Sequence, residues 1–358
     1  MRAKQMPRLL LPQLLACATR RAAALALVTG ALFALAALVA RGRAGTVRGA
    51  DTPRHVAAWP GAAPPADGTS RSFATNSKAA FCAPATDDSE PALERGFARV
   101  LFEGSPRFWF VPPMPDFSFL ATEGVRDGGA VVTSMNGQFG PFQDYFRGAP
   151  AEALMVDVGA NVGLASLPVA AMGRQVIAFE PVPRNLRVLS LSVCFNSFVD
   201  RFTLVAAAVG ASRGTADIFV PHGRADNTAM SESGSTANVG GAADRVAVPV
   251  VALDGYLTAD EISRIWLLKI DVQGFELRVI EGARAVLTAL PRSAWVVAEH
   301  DPKLMALAGV VDTTADIALM VSLGFTAHLT WKGAVVPESE WATVPLEQYG
   351  RDMWYKKA

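Results

Sequence analysis

Cysteine and histidine are scarce in this chain of 358 residues, with three of the first and four of the second. Cys17, Cys82 and Cys194 are scattered and odd in number. No disulfide framework and no CxxC metal spacing is visible in them, so they leave the redox compartment open. No HxxxH or paired His/Asp spacing marks a metal centre, and no metal is expected, although ligands gathered from separated strand ends would leave no such mark. Net charge is lacking too. Thirty-three basic residues balance thirty-three acidic ones, which gives no sign of a nucleic-acid partner, and none is expected.

Acidic residues are absent ahead of Asp51, while Arg2, Lys4, Arg8, Arg20, Arg21, Arg41, Arg43 and Arg48 all precede it. Between these charges lies the uncharged run 22–40. Nineteen residues rising ~1.5 Å each make about 28 Å of helix, close to the ~30 Å core of a bilayer. A single-pass signal anchor accounts for both the length and the basic flank and would keep the N-terminus cytosolic, a type II arrangement in the secretory pathway such as the Golgi. A plastid or mitochondrial transit peptide accounts for the Arg-rich, acid-free start, and a cleaved signal peptide usually has a shorter apolar region. Residues 41–91 are rich in Ala, Pro, Gly, Ser and Thr and read as a flexible stem. The expected organisation is a basic segment 1–21, the membrane helix 22–40, the stem 41–91, an irregular aromatic and proline-rich cap 92–150 and a catalytic domain 151–358.

From residue 153 the pattern becomes regular. Apolar runs at 154–158, 175–179, 202–209, 265–270 and 294–298 predict strands, and 184–196, 275–287 and 314–323 predict helices between them. Residues 217–220 and 246–251 predict an edge hairpin, 325–329 and 352–356 the closing strands, and 130–133 a strand within the cap. Short apolar strands alternating with helices imply a doubly wound α/β fold with a mostly parallel, seven-stranded sheet. The Gly-, Ser- and Thr-rich stretch 221–245 reads as a surface loop or a lid.

The first regular strand runs into Asp157-Val158-Gly159-Ala160-Asn161-Val162-Gly163. A strand feeding a glycine turn at a helix start is how α/β proteins hold nucleotide-like ligands. A nicotinamide site is expected to show G-x-G-x-x-G, whereas here Asn161 stands in place of the middle glycine and Asp157 sits at the strand end. One strand later Glu180 is placed to accept hydrogen bonds from a ribose diol. The further cluster Lys269-Ile270-Asp271-Val272-Gln273-Gly274-Phe275-Glu276, with Gly282-Ala283 downstream, completes a pattern. Together with Asp157–Gly163, Phe179-Glu180-Pro181, Ala208-Val209-Gly210 and Leu253-Asp254, it resembles the FkbM family of class I S-adenosylmethionine-dependent methyltransferases over residues 153–329. One position departs from the family's usual K-I-D-x-E-G-x-E, namely Gln273 where Glu is common.

The resemblance implies S-adenosylmethionine as cofactor, held by Asp157, Gly159, Asn161, Gly163 and Glu180, with Asp157 reaching toward the methionine portion. Candidate catalytic residues lie at the carboxyl edge of the predicted sheet: Asp271, Glu299, His300 and, one turn into a helix, Glu276. Each has a plain alternative. Asp271 and Glu276 suit a helix N-terminus, and His300 suits a loop start where neighbours satisfy its ring. The expected activity is O-methylation of a hydroxyl on a sugar, glycan or small metabolite. The alternative is a membrane-tethered scaffold that keeps the fold without catalysis. The acceptor and the oligomeric state are not encoded in these patterns.

Overall fold

A computed structural model describes residues 73–75, 81–82, 100–101, 108–110, 145–222, 228–231, 234, 242–344 and 351–358. The basic segment 1–21, the apolar run 22–40, most of the stem, most of the cap and its expected strand at 130–133 lie outside the described residues. Among the described residues, no helix is long and apolar enough to cross a membrane.

The described strands are β1 (Ala74–Thr75), β2 (Val100–Leu101), β3 (Trp109–Phe110), β4 (Leu154–Val158), β5 (Gln175–Phe179), β6 (Phe202–Val205), β7 (Ala208–Val209), β8 (Gly214–Pro221), β9 (Ala243–Val251), β10 (Ile265–Ile270), β11 (Trp295–Glu299), β12 (Phe325–His328) and β13 (Asp352–Lys357). The helices are α1 (Ser166–Ala171), α2 (Pro183–Phe195), α3 (Leu253–Tyr256), α4 (Ala259–Arg264), α5 (Glu276–Glu281), α6 (Arg284–Ala289), α7 (Pro302–Leu307) and α8 (Ala315–Ser322).

The main sheet runs β1-β6-β5-β4-β10-β11-β13-β12. Strands β6, β5, β4, β10 and β11 are parallel, and β13 runs antiparallel between β11 and β12. Setting aside the two-residue edge strand β1, this is the expected mostly parallel seven-stranded sheet of a doubly wound α/β fold. The chain winds outward from β4 through β5 to β6, then crosses to β10 and winds the other way. The order therefore reverses between β4 and β10, and ligands bind open α/β sheets at such a point, beyond the strands' carboxyl ends.

Alternation along β4 explains why its residues form a central strand. Met155 packs with α1 and α2 through Leu167, Leu186 and Leu189, while Leu154, Val156 and Val158 pack on the other face with Val279, Ile280, Leu287 and Ile317. All five residues of β4 are buried, as a strand covered by helices on both faces must be.

Three expectations are corrected. The run 202–209 is two strands, because the chain leaves the main sheet after Val205 and Ala208–Val209 pairs with β9 instead. The helix expected over 275–287 breaks into α5 and α6 at Gly282-Ala283. A Cβ on Gly282 would lie 2.1 Å from the Gly210 carbonyl oxygen, and Asp254 accepts hydrogen bonds from the Ala285 and Val286 amides at 3.1 and 2.8 Å, starting a new helix there. The hairpin is longer than expected, with β8 and β9 paired from Gly214↔Val250 to Pro221↔Ala243, so both ends of the stretch taken as a loop are strand.

Two of the scattered cysteines also meet. Cys82 and Cys194 form a disulfide with a Cα–Cα distance of 5.4 Å, joining residues 112 apart in sequence. Cys194 lies near the end of α2, and Phe81, beside Cys82, is fully buried against Phe202 at the start of β6. Spacing alone conceals such a pair, because a disulfide needs proximity in the fold and nothing in sequence.

Candidate active site

The turn after β4 is shaped first by packing. Gly159 and Gly163 have φ of 79° and 90°. A Cβ on Gly159 would lie 1.8 Å from the backbone oxygen of Asp271, and one on Gly163 would lie 2.5 Å from the Leu189 side chain. These glycines let the turn close on β10 and α2. Asn161 has φ 53°, a left-handed conformation that Asn tolerates better than most side chains. That explains an asparagine where a nicotinamide turn would carry glycine.

The Glu180 carboxylate sits just beyond β5. Its Oε2 accepts from the Asn161 amide at 2.8 Å, and its Oε1 accepts from the Val182 amide at 2.9 Å and from Asn185 Nδ2 at 3.2 Å. The group is 3% exposed. Burial pushes its pKa up to about 7, against the three donated hydrogen bonds that favour the charged form.

A cleft open to solvent lies over the ends of β4, β5 and β10. Gly159, Asn161, Glu180, Asp271 and Gln273 line it, while Val182, Val209, Ile218 and Met230 give apolar surface. A buried carboxylate beside small and apolar side chains suits a nucleoside, whose ribose hydroxyls donate while its base packs. The residues present therefore fit an adenosine-bearing cofactor. Val182, Asn185, Ile218 and Met230 carry no motif and went unnoticed in the sequence.

Asp271, at the end of β10, has a side chain 38% exposed, with Lys269 Nζ 3.2 Å from its Oδ2. Burial raises its pKa, but the Lys269 ammonium and donated hydrogen bonds outweigh this and hold the carboxyl below the usual range. Lys269 is itself buried, and although burial disfavours its charge, Asp271, Asp157 and Asp352 raise its pKa. The motif thus supplies a fixed cation beneath the cleft. Asp352, from the last strand, was not singled out in the sequence. Burial pushes it up to about 7 and Asp271 adds to the rise.

Four of the candidate residues lie elsewhere than expected. Asp157 is fully buried, 3.5 Å from Lys269 Nζ, and does not line the cleft. Burial raises its pKa while Lys269 opposes the rise. Its place is beneath the turn, because β4 is covered on both faces and its side chains enter the core whichever way they point. Gly163 packs against α2. Glu276 is fully buried, and its Oε1 accepts from the Val272 and Gly274 amides at 2.9 and 3.3 Å. It braces the loop that carries Gln273, and burial pushes it up to about 8. His300 is 1% exposed, with its Nδ1 2.8 Å from Oδ2 of the equally buried Asp316, so it faces α8 and the core. Glu299 joins Asp271 through Gln273. Among the described residues, no group of three or more His, Cys, Asp or Glu side chains is arranged to hold a metal.

Residues 157–304 match the family model described as the methyltransferase FkbM domain. No curated protein matches. Solved structures with a similar fold include the precorrin-6y C5,15-methyltransferase of Geobacter metallireducens GS-15, at 13% identity over 61% of this chain and 85% of that one, TM-score 0.30. Another is TYW2 of Pyrococcus horikoshii in complex with MeSAdo, at 13% identity over 65% of this chain and 62% of that one, TM-score 0.33. The chain thus spans less than two thirds of the length of that relative. A third is the ribosomal protein L11 methylase of Lactobacillus delbrueckii subsp. bulgaricus, at 11% identity over 65% and 85%, TM-score 0.32. At such TM-scores these likenesses carry no weight for what the chain acts on. The family match spans the glycine turn, Glu180 and the Lys269–Glu276 cluster.

Proposed function

We propose that this protein transfers the methyl group of S-adenosylmethionine to a hydroxyl of a sugar, glycan or small metabolite. The single observation that carries the reading is the cleft at the switch point of the sheet, which both Glu180, held by Asn161, and Asp271 line. Gly159, Asn161 and Glu180 would hold the cofactor on the β5 side. Bound there, it supplies an electrophilic methyl on a cationic sulfur.

The protein's own task is to place the acceptor oxygen and to manage its proton. Positioning is worth on the order of 7–11 kcal/mol, and a general base adds roughly 10²- to 10⁴-fold. Asp271 is the best placed base, ionised and in the cleft. A carboxylate held below its usual range is a weak base, so positioning supplies most of the rate. His300, buried against Asp316, is not offered for this role.

Calorimetric titration with S-adenosylmethionine tests the proposal. The wild type should release heat, and Glu180→Gln should bind about 10- to 100-fold more weakly, the worth of a hydrogen bond to a charged group. Because the ionised carboxylate accepts from the ribose and Glu180 titrates at about 7, wild-type affinity should rise from pH 6 to pH 8 while that of Glu180→Gln stays flat. A wild type without heat would instead favour the non-catalytic scaffold. Labelled-methyl transfer into a cell extract then identifies the acceptor.

The proposal extends to location. A lumenal domain behind a type II anchor at 22–40 would meet glycan hydroxyls. The Cys82–Cys194 disulfide supports an oxidising compartment, since thiols of mesophilic cytosolic proteins are kept reduced.

A further inference from the structure

Position 273 is where the sequence departs from its family pattern, with a carboxamide in place of a carboxylate. After β10 the chain turns through Gln273 and Gly274, at φ 55° and 95°. Glu276 fixes this turn from below, and a Cβ on Gly274 would lie 2.6 Å from the Leu304 carbonyl oxygen, so the turn has little room to move. From it, Gln273 Nε2 donates to Asp271 Oδ1 at 3.1 Å and to Glu299 Oε2 at 2.7 Å. An amide nitrogen carries two hydrogens, and both go to carboxyl groups on neighbouring strands.

We infer that Gln273 is a positioning residue, whose carboxamide clasps Asp271 and Glu299 at the ends of β10 and β11 and aims Asp271 into the cleft. The inference rests on the reading of Asp271 as the group that meets the acceptor. Its physical reason is the balance of charge around the pair. Lys269 on β10 is the nearest cation. Asp157 on β4, Asp352 on β13, Glu276 on α5 and Asp301 after β11 are the surrounding acids, with Arg351 paired to Asp301. Burial, then Asp271, then the other acids raise the Glu299 carboxyl well above its usual range, whereas Asp271 is held below its own. Of the pair, Asp271 is therefore the readier to ionise and Glu299 the readier to keep its proton. A glutamate at 273 would donate nothing when ionised and would set a like charge beside Asp271.

Carbon-13 titration of the side-chain carboxyls in the full-length protein tests this, with signals assigned from Asp271→Asn and Glu299→Gln. In the wild type Asp271 should titrate below the ordinary aspartate range and Glu299 above the ordinary glutamate range. In Gln273→Glu the Asp271 midpoint should rise by about one pH unit or more, as expected for a like charge brought alongside. Gln273→Met, similar in length but without donors, should raise it as well. An Asp271 midpoint unchanged in both variants, with or without a fall in Tm, would overturn the inference and leave Gln273 a part of the fold alone. A wild type that gives no heat with S-adenosylmethionine would sink the functional reading, while the carboxyl midpoints would still decide the role of Gln273.

Discussion

Glu180 and His300 look alike in the sequence, each a polar residue just past the end of an apolar strand. The fold separates them. Glu180 opens on the cleft and is met by the Asn161 amide across the glycine turn, whereas the ring of His300 turns under the sheet to Asp316. The carboxyl edge was legible because apolar runs end there. Which way a side chain leaves that edge was not, since it depends on what packs below. His300→Ala should therefore destabilise the protein by about 3 kcal/mol or more, because it strands the buried Asp316 carboxyl. It should leave cofactor affinity within about twofold. Chemical denaturation beside calorimetric titration reads both, and a large loss of affinity at intact stability would return His300 to the site. Asp157 teaches the same lesson. Its place at the end of the first core strand was legible, but its partner Lys269 lies one strand over and more than a hundred residues away.

At the scale of elements, strand and helix identity followed from local patterns, and strands β4, β5 and β10 stand where the apolar runs put them. The failures were at breaks. Gly282 interrupts a helix because Gly210 leaves no room for a side chain, a contact between distant segments that periodicity does not record. The Cys82–Cys194 disulfide is of the same kind. It ties the segment that carries Phe81 to α2, on the flank where the short strand β1 covers the outer edge of β6. Closing a loop of this length restricts the unfolded chain, and losing the bond should cost about 2–5 kcal/mol. Cys82→Ser with Cys194→Ser should thus melt at a lower temperature than the wild type in scanning calorimetry, and reductant should lower the wild type but not the double variant. Free thiols at both positions in protein alkylated directly from cells would contradict the bond.

The whole molecule concentrates buried acids under one cleft. Burial raises Glu180 and Asp352 to about 7 and Glu276 to about 8, and it raises Asp157 and Glu299 as well. A carboxyl whose folded pKa lies above its unfolded value binds more protons when folded. It stabilises fully below the unfolded value of about 4 and loses that stabilisation as pH rises through the folded one. Asp271, held low, has the opposite sign, so its stabilisation is present above the unfolded value and is lost only in acid. The melting temperature should therefore fall between about pH 5 and pH 8, and the fall should shrink in Glu276→Gln. A melting temperature that is flat or rising over that range in scanning calorimetry would show that these carboxyls are solvated in the folded state.

The sequence by itself determined the alternation of strands and helices, the glycine turn and the acids at strand ends. Each follows from local chemistry, since apolar periodicity sets the element and backbone freedom sets the turn. Only the tertiary structure decided which acids face the cleft and which lie beneath it, where Lys269 and Gln273 point, and that Cys82 meets Cys194. Those outcomes are set by which strands lie side by side, and the order β6-β5-β4-β10-β11 brings together residues that no local pattern connects.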